Sequence, residues 1–134
     1  MLILTIRTDK PEAEIGLYDD NDRIAYEIWT AHRQLAETLH LKIRGLMQAN
    51  NRQIHGIEAI ACYAGPGSFT GLRIGLSVGN ALAYSLSVPI VAETGKDWLS
   101  TVTTRLRDND IDAIAMPEYG ADVHITLPRS SPSQ

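Results

Sequence analysis

The stretch CYAGPGSFTGLRIG, residues 62–75, decides how the chain is read. It follows the apolar run IEAIACYA at 57–64 and leads into a second apolar run that ends near Ser87. A buried strand, a glycine-dense turn and a helix are the natural parsing. Gly65 and Gly67 permit backbone angles that a side chain forbids, Pro66 stiffens the loop, and Ser68 or Thr70 can cap the helix. A phosphate-binding P-loop fails: counted from Gly65, Thr70 and Gly71 stand where Gly and Lys are required, and the turn holds no lysine. A dinucleotide fingerprint comes closer. Gly65, Gly67 and a displaced Gly71 lie between strand and helix, and Glu93 follows at about twenty residues, where a ribose-binding acid would sit. Against it, a meander precedes the turn, and little chain remains to complete a dinucleotide-binding sheet.

The helix behind the turn, about 70–87, is unusual in its own right. Gly71, Gly75, Gly79 and Ala83 recur every fourth residue. Each interior glycine costs about 0.5–1 kcal/mol against alanine, so the series needs an offsetting gain. The spacing makes a smooth strip along which another backbone can lie. Apolar and small residues, from Ala81 and Ile74 through Val78 and Leu82 to Leu72 and Leu76, cover roughly 220° of the wheel, against ~100° for a helix on one sheet. The excess predicts a second contact, with the preceding helix or with another chain, and the pattern leaves both open. Arg73 opposes the dipole of the first turn. An exposed salt bridge or an anionic partner would account for it.

Outward from this unit, LILTI at 2–6, AEIGLY at 13–18 and RIAYEIW at 23–29 read as three strands joined by short turns, an antiparallel meander. A helix over about 31–49 gathers Leu35, Leu39, Ile43 and Leu46 on one face. PIVAE at 89–93 reads as a further strand, about 95–107 as a third helix, and 111–116 as a candidate last strand. The order βββαβαβα(β) predicts an α/β lobe with a mixed sheet and helices on its faces. Residues 1–116 form one domain in this reading. The tail 117–134, with three prolines and the ending SSPSQ, is predicted to be disordered at its end.

The 134 residues carry a net charge of −4, are 44% hydrophobic and 21% charged, and suit one soluble domain. Acids interleave with bases and cluster at Asp19, Asp20 and Asp22 and at Asp108, Asp110 and Asp112, which argues against strong nucleic-acid binding by the chain alone. No run reaches the ~20 apolar residues of a membrane span, and no signal peptide is visible. The lone Cys62 fits a reducing compartment, so the cytoplasm is expected, and a structural thiol is favoured over a nucleophile. His32, His40, His55 and His124 lack the spacing of a helical metal pair. Ser68 does not sit in a nucleophile elbow. No catalytic residue, metal or cofactor is expected.

AGPGSFTGLRIGLSVGNALAYSLSVPIVAET, residues 64–94, resembles the signature of the TsaB (YeaZ) family, bacterial partner proteins in tRNA threonylcarbamoyladenosine synthesis. The likeness extends from MLILTIRT to about Glu93, and MPEYGADVHITLP resembles the family's extreme C-terminal segment. The resemblance implies an actin-like (ASKHA, RNase H-like) lobe, here a short form with only the first of two. It also implies a scaffold without its own chemistry, which pairs with the transferase TsaD through helices of that lobe. An ATPase, TsaE, joins the assembly, tRNA enters only through the complex, and the chain alone would form a homodimer. The matching partner-binding residues are Leu35, Leu39, Ile43 and Leu46 on the first helix and Gly71, Leu72, Gly75, Leu76, Gly79 and Ala83 on the second. Gly75→Leu or Gly79→Leu is then expected to abolish pairing while leaving the chain folded. Two departures stand out. The Asp-Thr pair common in the first strand reads Arg7-Thr8, which argues against a kinase-like ATP site, and a His-Ser-Glu stretch reads Leu35-Ala36-Glu37. The alternative is a stand-alone nucleotide- or anion-binding module or enzyme using the Gly65–Gly71 turn, with Gly67, Ser68, Thr70 and Arg73 as contacts.

Overall fold

A computed structural model describes residues 1–31 and 34–117. Strands β1 (Leu2–Arg7), β2 (Glu12–Asp19) and β3 (Asp22–Thr30) make the expected antiparallel meander. Strands β4 (Ala59–Tyr63) and β5 (Ile90–Glu93) join β1 in parallel, giving the sheet order β3-β2-β1-β4-β5. The α/β reading with a mixed sheet therefore holds. Helices α1 (Leu35–Ala49), α2 (Phe69–Leu86) and α3 (Trp98–Arg107) flank it.

Strand register sorts the side chains into two faces. Leu4 lies between Leu17 and Ile60, and Ile6 between Ile15 and Cys62, so all six share one face and are buried. That face carries α2, whose Gly79 approaches Cys62, Ile60 and Ile90, and α1, whose Lys42 and Thr38 bond Glu27 and Trp29 of β3. Among the described residues, the opposite face carries α3 alone. Trp98 meets Tyr63 edge-to-face at 5.6 Å, and Leu99, Val102 and Thr103 stand over Ile3 and Thr5 across a cavity of about 270 Å³. Beyond α3 no other described element covers this face, as antiparallel strands allow, and Tyr26 and Ile28 are exposed there.

Local bonding moves several boundaries. Helix α1 starts at Leu35 rather than near 31, because the Ala31 N–H still donates to the Pro11 carbonyl and prolongs the meander. Helix α3 starts at Trp98 rather than 95, after a turn in which Gly95 takes φ 82°. Helix α2 ends on Ser87 in a left-handed conformation (φ 56°), its N–H bonded to the Tyr84 carbonyl and that of Val88 to Ala83. Residues 111–116 are not a sixth strand. Among the described residues one isolated bridge, Ile90 with Asp112, is all the pairing they make. His32, His124 and the expected disordered end lie outside the described residues.

Candidate functional site

Two parts of α2 bear on function: the turn at its N-terminus and the face it turns to solvent. The turn is filled by the chain itself. Past β1, Thr8 and Asp9 run beneath α2, and both are buried. A Cβ on Gly71 would strike the Thr8 carbonyl, one on Gly75 the Thr8 hydroxyl, one on Gly79 the Cys62 sulfur and one on Gly67 the Asp9 Cβ. The close approach that a period-four glycine series permits is thus realised against Thr8, just past β1, and against β4. Hydrogen bonds lock it. The Thr8 hydroxyl donates to the Gly71 carbonyl at 2.7 Å, and the Ser68 N–H donates to the Asp9 carbonyl at 3.0 Å. Ser68 caps α2, its Oγ accepting from the Gly71 N–H at 3.5 Å.

Charge in the turn is also satisfied internally. Arg7 grips the Asp9 carboxylate with two prongs, Nε to Oδ1 at 2.8 Å and Nη2 to Oδ2 at 3.2 Å. The Asp9 side chain is only 6% exposed. The guanidinium lies 4.0 Å from the Tyr63 ring centroid, and the Tyr63 hydroxyl donates to the Pro66 carbonyl at 2.9 Å. The bond to Asp9 pushes the Arg7 pKa further up, and burial raises that of Tyr63. The arrangement ties the end of β1 to the glycine turn and leaves a cation, not a metal-binding carboxylate pair, at the strand's end. Among the described residues no group of three or more His, Cys, Asp or Glu is arranged to hold a metal ion. Cys62 is buried, and desolvation pushes its thiol pKa up to about 12, a structural thiol.

The structure does not bring the four expected anion contacts together. Ser68 and Thr70 border an open cavity of about 360 Å³ that also receives Lys10, which the sequence reading missed for want of any local motif. Arg73 lines a different cavity, beside Ser77, Asn80 and Met116, and Gly67 packs on Asp9.

The expected partner-binding residues are placed inward. Leu35, Leu39, Ile43 and Leu46 of α1, and Leu72, Gly75, Leu76, Gly79 and Ala83 of α2, are all buried within this chain, and Gly71 is half-buried over Thr8. Ile74, part of the excess apolar arc, joins Ala13, Ala31, Leu35 and Trp29 in a satellite cluster. The second contact is therefore with the chain's own α1 end and meander. What faces outward is a different set. On α2, Ser77, Ala81 and Ser85 are exposed around Tyr84, which is 89% exposed. On α1, which packs beside α2, Leu41 is 68% exposed, and a Cβ on Gly45 would meet nothing within 4 Å.

With this geometry in hand, likeness to known proteins is informative. The family model described as "TsaD: tRNA N6-adenosine threonylcarbamoyltransferase" matches residues 29–116. The chain belongs to that family. Within the TsaD/TsaB group, it is 30% identical over 105 residues to a tRNA N6-adenosine threonylcarbamoyltransferase of Buchnera aphidicola, covering 66% of this chain and 31% of that protein. It is 29% identical over 100 residues to the threonylcarbamoyladenosine biosynthesis protein TsaB of Bacillus subtilis, covering 75% and 44%. The solved structure of YeaZ from Pseudomonas aeruginosa superposes with a TM-score of 0.66 at 25% identity, over 80% of this chain and 50% of that one. RuvC of Thermus thermophilus, solved with a Holliday junction substrate, shares the fold alone, at 13% identity and a TM-score of 0.51 over 78% and 76% of the two chains. The chain spans less than half the length of the curated TsaD and TsaB relatives it matches. Among the described residues, no helix is long and apolar enough to cross a membrane.

Proposed function

We propose that this chain is a non-catalytic partner of a TsaD-type transferase in forming threonylcarbamoyladenosine on tRNA. It docks that enzyme through the outward faces of α1 and α2. The observation that carries the reading is the exposed side of α2, with Tyr84 at 89% exposure flanked by small residues. Small side chains let a partner helix come close, and a large rigid ring supplies an anchor. The buried leucines and glycines act one step back: they set the distance between α2 and the sheet, and so the shape of the outer face. TsaE joins the assembly, tRNA is met only in the complex, the site of action is the cytoplasm, and the same face pairs two copies when the chain is alone. The filled turn speaks for this reading over the stand-alone nucleotide module, because Thr8 and Asp9 occupy the space beneath the glycines.

The test is co-expression with the TsaD-type transferase of the same organism, followed by size-exclusion chromatography with light scattering. A stable hetero-complex is expected, weakened about tenfold or more by Ala81→Arg or Tyr84→Ala at unchanged thermal stability. Absence of a complex with a folded transferase, or undiminished affinity in both variants, overturns the docking face. Calorimetric heat on mixing the isolated chain with ATP or ADP would favour the nucleotide module instead.

A further inference from the structure

Strand β5 is an edge of the sheet, and open edges pair with other chains. Of its backbone groups that face away from β4, three are occupied by the segment that follows α3 and by α3 itself. The Asp112 N–H donates to the Ile90 carbonyl at 2.9 Å, the Ala92 N–H donates to Asp112 Oδ2 at 2.8 Å, and Arg105 Nη1 donates to the Ala92 carbonyl at 3.1 Å. One residue, Asp112, thus stands in for a neighbouring strand, bonding the edge with its backbone on one side and its carboxylate on the other. Arg105 aims that carboxylate, with Nη2 at 2.9 Å from Oδ1, and also holds Glu93 and Asp110 at 3.1 Å each. A second clip lies on α2. Asn80 Nδ2 donates to the Ala115 carbonyl at 3.1 Å, and the Ala115 N–H donates to Asn80 Oδ1 at 2.8 Å.

Between these clips the segment is thinly packed. Ala115 is buried, but Ile111, Ile114 and Met116 are exposed by 44%, 61% and 67%. Cavities of about 750 and 340 Å³ lie between it and α2 on either side of Asn80. Polar clips rather than apolar burial hold it down, and such segments open well below the free energy of global unfolding.

We propose that residues 110–116 are a strap that seals the β5 edge against pairing with a second copy of this chain. Asp112 is the plug, and Arg105 and Asn80 are its positioning residues. The strap makes one bridge rather than a ladder, so it consumes the edge without offering a new one.

The test uses the full chain carrying Ala81→Arg, which removes any association through the outer face of α2. Into it go Asp112→Ala, Asp112→Asn and Asn80→Ala. Backbone hydrogen exchange and light scattering over a range of concentrations are the readouts. In Asp112→Ala the Ala92 amide should exchange about tenfold faster or more, amides of Leu4 and Ile60 should keep their rates, and the mass should climb towards a dimer with concentration. Asp112→Asn keeps an acceptor oxygen and should restore Ala92 protection and the monomer. Asn80→Ala should speed exchange at Asp112 and Ala115 alone, and it carries the test if Asp112→Ala lowers the yield of folded chain. Unchanged Ala92 exchange and mass in Asp112→Ala, or no acceleration at Asp112 in Asn80→Ala, overturns the strap.

Discussion

On its inner side, α2 sets Gly71, Gly75 and Gly79 against Thr8 and Cys62 of the same chain. On its outer side, it sets Ser77, Ala81 and Ser85 at the same spacing, around an almost bare Tyr84. Both sides look like docking strips in one dimension. Among the described residues, only the inner one is filled. The difference teaches that a period-four series of small residues announces a close approach without saying what approaches. The glycines, which lack even a Cβ, mark where the helix backbone comes down on another segment: on the Thr8 carbonyl and hydroxyl and on the Cys62 sulfur. The serines and alanine mark a surface that tolerates a helix at ordinary distance.

The sharpest way to break that comparison is to put the same bulk on each side. Gly79→Leu drives a side chain into the Cys62 sulfur and the Ile60 and Ile90 methyls, deep in the core. No folded chain is expected, at a cost above about 4 kcal/mol, read by circular dichroism and solubility. Ala81→Arg, two residues on, should leave thermal unfolding within about 0.5 kcal/mol of the parent. A folded Gly79→Leu chain with lost pairing would return the strip to the intermolecular role that the bare sequence suggests.

The next effect concerns the turn. Arg7→Ala strands the Asp9 carboxylate in a nearly dry position and removes the cation from the Tyr63 ring. Because Arg7 itself keeps some solvent contact, a loss of about 2–3 kcal/mol in urea unfolding is expected. A loss below about 0.5 kcal/mol would mean the ion pair is surface-like. Smaller still, Gly45→Ala on the open side of α1 should stabilise the chain by about 0.5–1 kcal/mol, since its Cβ meets nothing and the helix gains propensity. Gly75→Ala, aimed at Thr8, should do the opposite. The least perturbing probe is Cys62. Its thiol pKa, raised by burial to about 12, leaves almost no thiolate at pH 8, so labelling by an alkylating reagent should wait for unfolding. Rapid labelling of the folded chain would show that the α2–β4 seam opens.

Much of the fold was legible because its signals are local. Alternation in 13–18 and 23–29, the glycine turn at 65–67 and the apolar face of 35–47 each depend on neighbours a few residues away, and all reappear as β2, β3, the α2 entry and the core face of α1. The start of α1 was misplaced because the bond that delays it comes from Pro11, about twenty residues earlier, and no propensity reports such a bond. Residues 111–116 carry strand-like composition, yet Asp112 spends its carboxylate on the Ala92 amide and ends the sheet after one bridge. The candidate site was legible by element and not by residue. The helices that carry it were identified, but the side chains singled out were the most apolar ones, which the hydrophobic effect draws inward. The wheel of α2 sets Tyr84 with Arg73, Ser77 and Asn80 opposite the apolar arc, and Tyr84, Arg73 and Ser77 are exposed. Neither Tyr84 nor Leu41 was singled out for docking, because polarity and exposure alone do not mark an interface.

By itself, the sequence determined the class of fold, the close-packed character of α2, the absence of a P-loop and the family likeness. Each follows from residue identity and spacing along the chain: what glycine permits, what lysine would have to supply, and how often apolar residues return. Only the tertiary structure decided what the glycines touch, where Arg7 finds its counter-charge, which side of α2 is left open and how the β5 edge is closed. Those outcomes are contacts between segments far apart in the chain, such as Thr8 with Gly71, Ala115 with Asn80 and Asp112 with Ala92. They are set by which surfaces the whole lobe can bury at once, a quantity that no single segment carries.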